Sequence, residues 1–170
     1  FGENMVQELV KKHEVLPKDI EWHLIGHLQT NKVKFIAPFV HMIQSVDSFK
    51  LLQEINKRAA QNKRVIDCLL QVHIAREETK FGLSFEESST IFNSEEVKKF
   101  QNVRISGLMG MATNTDDSTV VRNEFKMLKE IFNQFVISNS SISILSMGMS
   151  SDYKIAIEEG SNMIRVGSVI

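Results

Sequence analysis

Short apolar runs rich in branched residues alternate along the chain with longer stretches whose apolar positions recur every three or four residues. That order predicts strand, helix, strand, helix. Six runs are read as strands, at 21–25, 41–45, 65–72, 103–109, 142–147 and 163–167. In the third, Val65-Ile66 and Leu69-Leu70 are apolar at consecutive positions, which suits a parallel strand covered on both faces better than a half-exposed antiparallel one.

The intervening stretches carry helical stripes. After Asp117-Ser118, Val121, Phe125, Leu128, Phe132 and Phe135 step by four and three onto one face, with Ser118 as the expected N-cap. After Asp47-Ser48, Leu51, Leu52, Ile55 and Ala59 form a second face, and Val6, Leu9 and Val10 begin a third. Such faces need a sheet to cover. The polar stretch 76–94 reads as a loop with a short helix. Only Pro17 and Pro38 occur and no glycine-serine linker breaks the alternation, so residues 1–170 read as one domain. Repeated strand-helix units leave an open doubly wound sheet or a closed eight-stranded barrel. Six units in 170 residues suit the first by length, since a complete barrel takes about 250 residues. Length alone does not choose.

Composition narrows the partners. Twenty basic against twenty-one acidic side chains give a formal charge of -1, so no bulk positive field exists to hold nucleic acid or an anionic membrane. Neither is expected as a partner. The single cysteine, Cys68, lies among Ile66, Leu69 and Leu70 and reads as a small buried hydrophobe in a reducing, cytoplasmic compartment. No apolar run approaches the roughly 20 residues of a membrane helix. The chain starts Phe1-Gly2-Glu3-Asn4 without an initiator methionine, as a fragment or processed chain would.

The segment most suggestive of chemistry is Ser146-Met147-Gly148-Met149-Ser150-Ser151-Asp152, followed by Met163-Ile164-Arg165-Val166-Gly167-Ser168. A strand ends in a glycine turn, and Ser150 precedes a helix whose free amides would face an anion placed there. The next strand ends in Gly167-Ser168, where a backbone amide can approach closely and a hydroxyl can donate. In barrels, phosphate commonly sits at the loops after the last two strands. The plainer alternative is that Gly148 makes a turn and Ser150 caps a helix, and Asp152 counts against an anion unless its side chain turns away. Arg165 interrupts an apolar strand, and an inward guanidinium needs acceptors, either a heteroaromatic nitrogen or a carboxylate. Snorkelling to solvent, or pairing with Glu158 or Glu159, is the alternative.

Other polar groups offer less. His23 and His27 have the spacing of a helical metal pair, but Trp22-His23-Leu24-Ile25-Gly26 reads as a strand, so no metal site is expected. His73 reads as a polar exit from the core. Met109, Met111, Met147 and Met149 are expected to fill core volume, and Lys32 and Lys80 to be solvated. There is no Gly-x-Ser-x-Gly elbow, GxGxxG or Walker sequence.

With these motifs in this order, the chain resembles the pyridoxal-phosphate homeostasis proteins, relatives of the amino-terminal barrel domain of bacterial alanine racemase. The resemblance runs from end to end, through Phe1-Gly2-Glu3-Asn4, Trp22 to Gly26, Leu28 to Lys32, Ser45-Val46-Asp47, Leu69 to Val72, Glu77 to Gly82, Gly107-Leu108-Met109, Leu145 to Asp152 and Arg165-Val166-Gly167. It implies a parallel (β/α)8 barrel that binds pyridoxal 5'-phosphate and buffers it or supplies it to pyridoxal-phosphate-dependent apoenzymes, without strong catalysis. It places the phosphate at Ser150, Gly167 and Ser168, puts Arg165 beside the pyridine nitrogen, and brings Asn4 into the cofactor's neighbourhood. Lys80 matches a lysine near the pocket mouth, with no role assigned.

The lysine that binds the cofactor covalently in this family lies upstream of the Phe-Gly-Glu-Asn turn. Here the resemblance therefore implies noncovalent binding and a barrel lacking its first two strands, whose open edges invite association. His73 stands where the family has asparagine, and Asn162 where it has threonine. An amino-acid racemase and a noncatalytic interaction module are the rival readings.

Overall fold

The computed structural model describes residues 1–77, 79–139 and 141–168. Seven strands form one sheet in sequence order: β1 (Gly2–Glu3), β2 (His23–Leu24), β3 (Met42–Val46), β4 (Ile66–Val72), β5 (Val103–Gly110), β6 (Ile144–Met149) and β7 (Met163–Arg165). Every pairing is parallel. The connections carry α1 (Val6–Val15), α2 (Val33–Ile36), α3 (Phe49–Gln61), α4 (Phe85–Asn93), α5 (Ser118–Ser138) and α6 (Tyr153–Glu158).

The sheet curls on itself. Gln44 on β3 reaches Ser146 on β6 at 2.7 Å and the sulfur of Met163 on β7 at 3.2 Å. In a flat sheet, β3 and β7 would lie four strand spacings apart, about 19 Å. Contact across that interval requires a cylinder, so the barrel is the architecture adopted. The strand count differs from expectation, because Gly2–Glu3 pairs with His23–Leu24 and adds a seventh strand. Among the described residues the cylinder therefore holds seven strands, where six were expected. A two-residue strand has no alternation to read, which is why periodicity passed over it. Among the described residues, β1 and β7 form the two edges of the sheet.

Two apolar layers follow from the alternation. Ile43, Cys68, Leu70, Leu108, Leu145 and Met147 pack outward with the helices, while Met42, Leu69 and Met109 cluster with Met111, Ile144 and Met163 inside the barrel. Burial pushes the Cys68 thiol up, leaving it an inert hydrophobe. The α5 stripe of Val121, Phe125, Leu128, Phe132 and Phe135 is buried, as are Leu51, Leu52, Ile55 and Ala59 of α3. Two local readings change. Asp117, not Ser118, caps α5, its carboxylate accepting the amides of Thr119 and Val120. Met149 points out of the core and is 45% exposed, because it lies where β6 gives way to its turn.

Candidate functional site

The last two strands end side by side, with Ser146 opposite Met163 and Met149 opposite Arg165, and the register shifts by one residue between these two pairs. At Gly148 the backbone adopts φ +98°, and a Cβ there would lie 2.6 Å from the Cβ of Ala156. Glycine thus lets β6 turn sharply against α6. After the turn, Asp152 directs its carboxylate back to accept the Met149 amide at 2.6 Å. The side chain that weighed against an anion is engaged with its own turn. Ser150 accepts the Gly167 amide at 3.2 Å, joining the β6 turn to the chain just past β7. Its hydroxyl proton has no acceptor among the described residues. Gly167 and Ser168 are exposed, and a Cβ on Gly167 would meet nothing within 4 Å.

Arg165 leaves β7 on the inner side of the barrel. Its Nη1 donates to the Ser146 hydroxyl at 2.8 Å and its Nη2 to the carbonyl of Gly110, at the end of β5, at 2.9 Å. Burial pulls its pKa down to about 10, with the charge of Asp152 opposing, so the guanidinium remains a cation at neutral pH. The ion pairing weighed as an alternative goes elsewhere: Glu158 and Glu159 both bind Arg122 on α5. Arg165 has no carboxylate partner among the described residues, and three of its five N–H groups take no acceptor there.

Behind the arginine runs a polar line that the sequence did not announce. Ser146, fully buried, donates to Gln44 Oε1, and Gln44 Nε2 lies 3.0 Å from His23 Nδ1 on β2. Burial, with help from the nearby N-terminal ammonium group and His41, brings His23 down to about 4. It is neutral at physiological pH, with Nδ1 accepting. Ser and Gln within apolar strands carry no spacing signal, so only the closed barrel reveals that they meet.

The remaining candidates fall into place around this cluster. Asn4 follows β1 at the carboxyl end of the barrel, and its exposed side chain makes no hydrogen bond among the described residues. A Cβ on Gly26 would strike the Asn4 carbonyl oxygen at 2.3 Å, so glycine lets the two turns touch. Lys80 is not a solvated charge. It donates to the Ala112 carbonyl at 2.6 Å and pairs with Glu77 at 3.1 Å, holding the β4 loop against the chain after β5. Lys32 stays near the surface above the Phe35 ring. The ring of His73 lies 2.9 Å from the Glu77 carbonyl, half-buried, as a polar exit from the core. No lysine lies on any of the seven strands. Among the described residues no three histidine, cysteine or carboxylate groups gather to bind a metal, and no helix is long and apolar enough to cross a membrane.

A parallel β/α barrel, with a cation and a hydroxyl-glycine pair at the carboxyl ends of β6 and β7, is the class that fold and site define. The model for the alanine racemase N-terminal domain matches residues 1–170. The pyridoxal phosphate homeostasis protein of Aquifex aeolicus is 41% identical over 172 residues, covering all of this chain and 75% of its own length. That of Schizosaccharomyces pombe is 34% identical, with 72% of its length covered. Among solved structures, PipY of Synechococcus elongatus with pyridoxal phosphate bound is 31% identical, with a TM-score of 0.87 over 99% of this chain and 79% of PipY. Alanine racemase of Clostridium difficile, at 13% identity and a TM-score of 0.76 over 98% of this chain and 41% of its own, shares the fold. The chain belongs to the alanine racemase N-terminal domain family, within its pyridoxal phosphate homeostasis branch.

Proposed function

We propose that this chain binds pyridoxal 5'-phosphate noncovalently at the carboxyl ends of β6 and β7 and acts as a cytoplasmic carrier or buffer of the cofactor, passing it to apoenzymes that depend on it. The observation that carries the reading is the half-buried Arg165 cation, which among the described residues has no carboxylate partner and retains free N–H groups. The residues fit the cofactor. Ser150 holds an undonated hydroxyl proton for a phosphate oxygen, Gly167 leaves open the space a side chain would fill, and Ser168 adds a second hydroxyl. Arg165 supplies a donor for the pyridine nitrogen, and Asn4 faces the same end of the barrel.

When bound, the cofactor supplies an electron-withdrawing ring and a reactive aldehyde. A fixed cation beside the ring nitrogen disfavours its protonation, which weakens the electron withdrawal on which catalysis depends. Storage suits that arrangement better than turnover. Racemisation calls for a proton donor and acceptor on opposite faces of a substrate, whereas the Asp152 carboxylate is turned to the Met149 amide.

Titrating the chain with pyridoxal phosphate tests the proposal. A shift in the visible absorption that excess inorganic phosphate reverses is expected, with no pyridoxyl-lysine after borohydride reduction and peptide mapping. An unchanged spectrum contradicts binding, and a modified lysine contradicts its noncovalent character.

A further inference from the structure

We infer that Ser146, itself oriented by Gln44, is the positioning residue that aims Arg165 at the ring nitrogen of the bound cofactor; this rests on the function proposed above. Arginine has only donors, so the Ser146 oxygen must accept at 2.8 Å. The serine proton must then go elsewhere, and Gln44 Oε1 receives it at 2.7 Å across the barrel. Gln44 therefore presents its amide nitrogen to His23 Nδ1 at 3.0 Å and to the Met163 sulfur at 3.2 Å. Neutral His23 can accept there. Each bond direction follows from the arginine's charge, and reversing the Gln44 amide would leave the serine proton without this acceptor.

The second hold, from Nη2 to the Gly110 carbonyl on β5, fixes the plane of the guanidinium at two points on two strands. A line that merely plugged the barrel would not need a charge. The adjoining interior cluster around Met42, Leu69 and Met109 fills its space with apolar side chains and desolvates none. Ser146 is fully buried and Gln44 is 2% exposed, so water does not substitute for either contact. Losing the serine oxygen leaves Arg165, among the described residues, with the Gly110 carbonyl alone, free to swing about that bond.

The test compares affinities for pyridoxal phosphate and for its 1-deaza analogue, whose ring carries C–H in place of nitrogen. For the wild-type chain, a preference of about tenfold for the nitrogen ligand is expected, the size of one hydrogen bond to a charged group. In Ser146→Ala that preference falls towards one while affinity for the deaza analogue holds, and Ser146→Thr, which keeps the hydroxyl, restores it. Gln44→Met gives the same loss through a different residue and decides the matter if Ser146→Ala fails to fold. Equal weakening of both ligands, with the preference intact, overturns the inference by showing a structural role alone. A wild-type preference of one overturns it while leaving phosphate-anchored binding standing. Absence of pyridoxal phosphate binding to the wild-type chain removes the functional proposal as well.

Discussion

The hydroxyl oxygen of Ser150 accepts the backbone amide of Gly167 at 3.2 Å, so the turn after β6 and the end of β7 are one structural unit although the two residues lie seventeen positions apart. The Gly167 amide is thereby engaged, while the Ser150 hydroxyl proton has no acceptor among the described residues.

Ser150→Ala removes the proton and the link to Gly167 together. Affinity for pyridoxal phosphate is expected to fall about tenfold, as for one hydrogen bond to a charged acceptor. Pyridoxal without the phosphate should bind the variant and the wild-type chain alike. Isothermal titration of the two ligands reads the difference, and an equal loss for both would place the phosphate elsewhere.

Gly148→Ala puts a Cβ 2.6 Å from the Ala156 Cβ, in a backbone conformation of φ +98° that side chains rarely adopt. Stability should drop by roughly 2 kcal/mol or more. Urea denaturation measures it, and a wild-type midpoint with an unchanged slope would show that the turn relaxes without cost.

His23 links stability to acidity. Its folded pKa is about 4 against an ordinary value of 6.5, so between these values the unfolded chain binds a proton that the folded chain does not. Its contribution is complete above about pH 6.5, shrinks as the pH falls towards 4, and stays constant below. His23→Asn keeps an acceptor near the Nδ1 position and cannot titrate. Denaturation midpoints measured from pH 7 to pH 4 should therefore decline less steeply in the variant, and identical slopes would assign the acid sensitivity to other groups.

Much of this fold is readable in the sequence. The five-residue stripe of α5 and the four-residue stripe of α3 called for a sheet, and doubly apolar strands favoured a parallel one over a half-exposed antiparallel one. Three features were not readable, each for a physical reason. β1 is two residues long, too short for a period. The N-cap of α5 lies one residue earlier than expected because Asp117 and Ser118 are both good caps, and only the backbone chooses between them. The Ser146-Gln44-His23 line joins residues up to 123 positions apart, and no local pattern encodes a contact made by closing a cylinder. Arg165 was legible as an anomaly in an apolar strand, but its acceptors were not.

The ring-nitrogen resonance of 15N-labelled pyridoxal phosphate bound to the chain tests the central claim most directly. A cation at Arg165 predicts an unprotonated, hydrogen-bonded pyridine signal at neutral pH that moves in Arg165→Met. A pyridinium signal in the wild-type chain, or one that Arg165→Met leaves in place, would contradict the account.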